Sequence, residues 1–243
     1  MKGQIREEPK IVAAAERRMQ AWDHIQEIEE RALREHEVKR LSEGVCTYVT
    51  VSREEGAGGG EIARGVGKKL NWEVFDKNLL DRVSQRYHLS HPMLKLVDEV
   101  RSNWVHDVLG TWMDRQVVPP EKYVACLRGV VLTAARHGHV VLVGRGAQFL
   151  LPRDKGLAVR IIAPKKFRIE RTMQEKGLDA EAARRLIENT DQNRREFVRR
   201  YFHHDVDDPH LFDLVINVER IGVPGAVAQI VSALQTTYKV SSS

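Results

Sequence analysis

Residues Cys46 to Glu61 read CTYVTVSREEGAGGGE, an apolar β-branched run that passes into a glycine cluster and then into the helix-forming segment Glu61–Leu70. This order builds a phosphate-binding loop. Gly56, Gly58, Gly59 and Gly60 permit positive φ and let backbone N–H groups approach an anion, while the following helix offers its positive dipole end. One element of the usual pattern is missing. In G-x-x-x-x-G-K-[ST] a lysine serves the β/γ-phosphates and a hydroxyl serves magnesium. Laying Gly58 on the second glycine puts Gly59 and Gly60 at those two places. Phosphoryl chemistry here must draw its cation from elsewhere, and Arg53 at the start of the loop and Lys77 are the candidates.

From Cys46 onward the pattern alternates. Strand-like runs fall at Thr47–Ser52, Glu73–Phe75, Val140–Val143, Ala158–Ile162 and Leu214–Val218. Helical segments fall at Glu61–Leu70, Lys77–Tyr87, Tyr123–His137, Lys165–Lys176 and Pro224–Thr237. Alternation of this kind predicts an α/β fold with a parallel sheet covered on both faces. Two insertions interrupt it, a helical stretch from His91 to Pro120 and an arginine-rich segment from Asp179 to Tyr201 forming one or two helices. The chain divides into an N-terminal helical extension over residues 1–44 and an α/β domain over 45–243, with a lid at about 179–201. The extension is dense in Ala, Glu, Arg and Leu, with no interior Gly or Pro after Pro9. Its apolar stripe, including Trp22, Ile25 and Ile28, is too broken for a coiled coil, so it is expected to pack on the core or to form a homodimer with a second copy.

Composition sets the outer bounds. With 243 residues, 42% hydrophobic and 30% charged, the chain can bury one full core and carry an appendage. Cys46 and Cys126 sit in apolar segments without metal-ligand spacing, which favours buried thiols in a reducing, cytoplasmic compartment. The charged N-terminus does not read as a signal peptide, and no apolar run approaches the roughly 20 residues that a membrane helix needs. The net charge of +5 comes largely from arginines after Arg160. A site for phosphorylated small molecules explains them better than nucleic acid does, because Phe197, Tyr201 and Phe202 have the spacing of core residues rather than of a base-stacking platform. The run His203–His210 fits no metal-ligand geometry and reads as a polar loop.

Three further motifs follow the loop. In WEVFDKNLLDRV, Asp76 ends a short strand where a carboxylate can hold magnesium, and Arg82 stands on the next helix where it can grip an acceptor phosphate. In VVLVGRGAQFLL, Arg145 lies at the carboxyl end of a parallel strand and faces the ligand crevice. Between Arg184 and Arg200, six arginines surround Asp191. Arginine suits bidentate grip on phosphate, and the mutual repulsion of these side chains favours an open, solvated lid in the absence of ligand.

These four elements in this order resemble the cytidylate kinase-like family, an offshoot of the nucleoside monophosphate kinases, from about Tyr48 to Ser232. The matching residues are Ser52-Arg53-Glu54-Glu55-Gly56-Ala57-Gly58-Gly59, Phe75-Asp76-Lys77, Val143-Gly144-Arg145-Gly146 and Asp191-Gln192-Asn193-Arg194-Arg195. The resemblance implies a three-layer, five-stranded parallel sheet of the P-loop kinase type with a helical lid. It also implies phosphoryl transfer from ATP, with Mg2+, to a nucleoside monophosphate or similar phosphorylated acceptor. Ser52, Gly56, Ala57, Gly58, Gly59, Gly60 and Arg168 would hold the triphosphate, and Lys77, Arg82 and Arg145 the acceptor. Arg53, Asp76, Arg194 and Arg195 would act in catalysis, with Asp76 as the metal ligand. The chain departs from the kinases at three places: Gly59 replaces the loop lysine, Gly146 an acidic residue, and Lys77 a serine. The first departure leaves open a non-catalytic nucleotide sensor. A dinucleotide-binding fold is a further alternative, since Gly56-Ala57-Gly58 is a G-x-G and Asp76 lies about 20 residues on, but Glu61 occupies the third small position.

Overall fold

The computed structural model describes residues 47–76 and 120–238. The expected extension over 1–44, the helix carrying Lys77 and Arg82, and the insertion over 91–119 lie outside the described residues. The elements, in chain order, are β1 (Tyr48–Arg53), α1 (Gly59–Leu70), β2 (Glu73–Phe75), α2 (Pro120–His137), β3 (Val140–Val143), β4 (Gly156–Ile162), α3 (Lys165–Lys176), α4 (Ala180–Phe202), β5 (Leu214–Asn217) and α5 (Val218–Tyr238).

The five strands form one parallel sheet in the order β2-β3-β1-β4-β5. Its central strand, β1, is buried on both faces, which is why its residues form a near-continuous apolar run rather than an alternating one. Val49 and Val51 of β1, Val141 and Val143 of β3, and Val159 and Ile161 of β4 pack with Ile62 and Val66 of α1 and Ile230 and Leu234 of α5. On the opposite face Ala158 packs with Val198 of α4, Val206 and Phe212. Helices therefore cover both faces, giving three layers. The strand order also disposes of the dinucleotide-binding alternative, in which the first strand lies beside the second; here β3 separates them.

The ends of β2 and β3 and both ends of α3 fall where the sequence pattern puts them. The helix after the glycines begins earlier than expected, at Gly59, so Gly59 and Gly60 belong to its first turn and not to the loop. The arginine-rich segment is one continuous helix, because nothing between its two ends interrupts it. Asp179 caps its start by accepting from the Ala182 N–H at 2.7 Å, and His203 ends it at φ +57°. The last helix is broken at Gly222, and Pro224 opens its second arm, a place where a missing N–H costs no hydrogen bond. No described helix is long and apolar enough to cross a membrane.

Candidate functional site

The carboxyl ends of β1, β2 and β3 bring Arg53, Asp76 and Gly144-Arg145-Gly146 to one edge of the sheet, the edge where open α/β folds bind ligands. The loop after β1 is built by three backbone anchors. The Glu54 N–H donates to Ile161 O at 3.0 Å, the Glu55 N–H to the Asp191 carboxylate at 2.8 Å, and the Ala57 N–H to Glu54 O at 3.3 Å. Gly56 and Gly58 both stand at φ +78°, and Gly58, the residue before α1, has no side chain to cap the helix. The first intrahelical bond is from Ile62 N–H to Gly58 O at 3.0 Å. The N–H groups of Gly59, Gly60 and Glu61 therefore have no acceptor inside the helix, and no other acceptor among the described residues meets them. An uncapped helix N-terminus behind left-handed glycines is suited to an anion.

Arginines surround it. The Arg53 side chain lies across Gly59: a Cβ built on Gly59 would stand 2.5 Å from Arg53 Cβ and 2.8 Å from its Cγ. The guanidinium continues to Gly144, whose own Cβ would overlap Nη1, and reaches Asp76 Oδ1 with Nη2 at 3.9 Å. Burial lowers the Arg53 pKa, as do the nearby Arg194 and Arg145, while Asp76 and Glu55 offset part of this; the result is about 10, so Arg53 is a cation at neutral pH. Arg145 is held at φ +57°, between Gly144 at +76° and Gly146 at +64°. A left-handed arginine is a strained backbone of the kind that collects at ligand sites. Gly146 has no room for a side chain, because a Cβ there would overlap the ring of Phe202. The guanidinium of Arg171, at the same end of the sheet, stands 3.0 Å from where a Gly58 Cβ would be and pairs with Glu61 at 2.6 Å.

Helix α4 lies on the loop. Arg194 donates from Nη1 to Arg53 O at 3.0 Å and from Nη2 to Glu55 Oε2 at 2.7 Å. Asp191 forms an ion pair with Arg168, both side chains about 10% exposed, while also accepting from the Glu55 N–H. The expectation of an open lid rested on arginine repulsion, and the structure supplies the counter-charges instead: Glu55 and Asp191 for Arg194, Asp207 for Arg195, Glu181 for Arg185.

Not every expected site residue reaches the edge. Arg168 lies beneath the loop and spends Nε on Ala163 O at 3.0 Å and Nη1 on Glu55 O at 3.2 Å and on Asp191, so it braces the loop from below. Ser52 is buried in β1, with Oγ accepting from Arg160 Nη1 at 2.9 Å. Arg195 follows Arg194 by one helical step and turns to Asp207 at 3.7 Å, away from Arg53. Lys77 and Arg82 lie outside the described residues. The His203–His210 loop is organised by aspartates, Asp208 receiving the His210 N–H and Asp207 gripping Arg160, and no cluster of three or more candidate metal ligands occurs among the described residues. Sequence reasoning missed Glu55 and the bracing role of Asp191. The signal was present for Glu55, since a second acid directly before a phosphate loop is out of place unless a cation claims it.

A three-layer fold with this strand order and an anion-ready helix start after β1 is an α/β domain of the P-loop kinase type. Its family is defined by sequence as well: the chain belongs to the cytidylate kinase-like family, whose pattern matches residues 48–220. It is similar to the cytidylate kinase of Thermococcus sibiricus, at 31% identity over 195 residues, 79% of this chain and 90% of that one. The cytidylate kinase of Pyrococcus horikoshii matches at 30% over 104 residues, 42% of this chain, and that match spans about half (53%) of the relative's length. Among solved structures, an uncharacterized protein from Eubacterium ventriosum superposes with a TM-score of 0.60 at 18% identity, covering 78% of this chain and 99% of that one, a likeness of fold. Kinship supports a nucleotide-kinase-like phosphotransferase.

Proposed function

We propose that the protein binds ATP with its phosphates at the start of α1 and transfers the γ-phosphoryl group to a nucleoside monophosphate or a similar phosphorylated acceptor held by Arg145 and Arg82. The acceptor's phosphate oxygen bonds to the γ-phosphorus as the bond to the β-phosphate oxygen breaks, and ADP leaves. The observation that carries this reading is Arg53 lying across Gly59, which puts a half-buried cation beside the position of the absent loop lysine. Arg53 and Arg194 would neutralise charge developing on the transferred group, work that one donor typically does at roughly a hundredfold in rate or more.

The residues present also fit a magnesium ion. Magnesium in such sites is commonly held by one or two carboxylates together with substrate phosphates, and Asp76, 38% exposed, stands beside the helix start, with Oδ2 3.8 Å from where a Gly60 Cβ would lie. The ion would neutralise phosphate charge; Gly60 offers no hydroxyl to it, so Asp76 would be its anchor. We place the reaction in the cytoplasm.

Binding and turnover with a panel of nucleoside mono- and triphosphates, in the presence of magnesium, test the reading. Saturable ATP binding with transfer to at least one monophosphate is the expected result. ATP binding without transfer to any acceptor would favour a nucleotide sensor, and no nucleotide binding would remove the reading altogether.

A further inference from the structure

Glu54 and Glu55 are adjacent acids with different surroundings. Glu54 turns into the protein, where Oε2 accepts from the Ala163 N–H at 3.0 Å and faces Arg168 Nε at 3.4 Å. Glu55 turns toward the helices that follow β4. One carboxylate oxygen accepts from Arg194 of α4 at 2.7 Å, and the other meets Lys176, the last residue of α3, at 3.3 Å. Its backbone is fixed as well, with its N–H on Asp191 and its C=O on Arg168. A single loop carboxylate thus ties both arms of the α3–α4 hairpin to the phosphate loop.

Charge makes this arrangement peculiar. The neighbourhood holds Arg53, Arg145 and Arg194, close enough for the last two to depress the pKa of the first. The unfilled N–H groups at the start of α1 add positive potential. In such a place a carboxylate does electrostatically what a phosphate oxygen does, and a charge-assisted bond to Arg194 at 2.7 Å is of the strong kind. Burial alone would raise the Glu55 carboxyl, yet Arg194 and Lys176 outweigh it and hold the group below the usual glutamate range, ionised at neutral pH.

We propose that Glu55 is an intramolecular stand-in for a ligand phosphate, holding Arg194 and drawing α3 and α4 onto the loop in the free protein until an incoming polyphosphate takes Arg194 from it. The proposal rests on the reading of this edge as a polyphosphate site. It makes Glu55 a brake on binding: ligand must displace an existing ion pair before it gains Arg194, so part of its affinity is lost to that exchange.

The test is equilibrium binding of inorganic tripolyphosphate, and separately of magnesium-ATP, to the wild type, Glu55→Gln, Glu55→Asp, Arg194→Met and the double variant Glu55→Gln/Arg194→Met. Glu55→Gln is expected to bind tripolyphosphate about tenfold more tightly, the worth of one released charge-assisted bond. Glu55→Asp keeps the charge but is one methylene too short to span Arg194 and Lys176, and it should shift affinity in the same direction; this separates the latch from a simple loss of negative charge. In the Arg194→Met background the gain should vanish. Unchanged or weaker binding by Glu55→Gln, or a gain that Glu55→Asp lacks, overturns the latch while leaving the nucleotide reading standing. Tighter tripolyphosphate binding by both variants with no magnesium-ATP binding by any protein would keep the latch and remove the nucleotide reading. Tripolyphosphate that binds none of the proteins overturns the latch.

Discussion

Arg53 occupies the space that a side chain on Gly59 would need: a Cβ at Gly59 would lie 2.5 Å from the Cβ of Arg53, well inside the 3.4–4 Å of ordinary van der Waals contact. The close approach is between the two backbones, β1's last residue against α1's first, so no rotamer of Arg53 relieves it. A glycine at this position and an arginine six residues earlier form one structural unit, in which the cation of the loop comes from the strand and not from the helix.

Gly59→Ala should therefore destabilise the protein by about 1–3 kcal/mol, the usual penalty for an added methyl group in a filled site. Arg53→Ala should not rescue it, because the offending Cβ remains. Arg53→Gly should recover most of the loss, apart from its own cost in the strand. Urea unfolding of the three single variants and the two double variants would measure this coupling, and a Gly59→Ala protein as stable as the wild type would contradict it.

Arg145 is strained at φ +57° with glycines on both sides. Arg145→Gly is expected to raise stability by about 1 kcal/mol, the low end of what a left-handed non-glycine residue stores. The same variant should bind monophosphates less tightly, since its guanidinium is the acceptor's partner in the proposed reaction. Thermal unfolding and monophosphate titration on one sample check both halves.

Asp191 and Arg168 are an ion pair that is about 90% withdrawn from solvent on both sides. Removing one partner leaves the other buried with only its second, more distant counter-charge, Glu54 at 3.4 Å for Arg168 and Arg194 at 3.7 Å for Asp191, so Asp191→Ala or Arg168→Met should each cost up to about 3–5 kcal/mol. Exchanging both for apolar residues should cost clearly less than the sum. A chemical-denaturation cycle gives the coupling directly.

The depressed carboxyl of Glu55 fixes the sign of a pH effect. A group whose folded pKa lies below its unfolded value binds fewer protons when folded. Its stabilisation is full above the unfolded glutamate value of about 4.3 and is lost as pH falls through the lower folded value. Stability curves of wild type and Glu55→Gln should run parallel near neutrality and converge in acid. Parallel curves throughout would mean that Glu55 is not held by Arg194 and Lys176 in solution.

Much of the fold could be read from local pattern. β2, β3 and α3 have the expected ends because each is bounded by residues that act locally, such as the Gly177 that closes α3 in a left-handed conformation. The loop was legible for the same reason, since glycine clusters before a helix carry their meaning in a few residues. What could not be read depends on partners distant in sequence. Arg168 is expected on the triphosphate alongside the family resemblance, and only its contacts with Ala163, Glu55 and Asp191 turn it into a brace. Gly59 and Gly146 looked like lost functional residues. Each is a glycine because another side chain, Arg53 in one case and Phe202 in the other, fills the space beside it.

The most direct test of the central claim, that Arg53 takes the part of the loop lysine in phosphoryl transfer, is single-turnover transfer from magnesium-ATP to the best monophosphate acceptor by wild type and Arg53→Ala. The account predicts that the variant stays folded, still binds ATP, and transfers roughly a hundredfold or more slowly, the usual loss when one donor to a developing phosphoryl charge is removed. Equal transfer rates in the two proteins would contradict it.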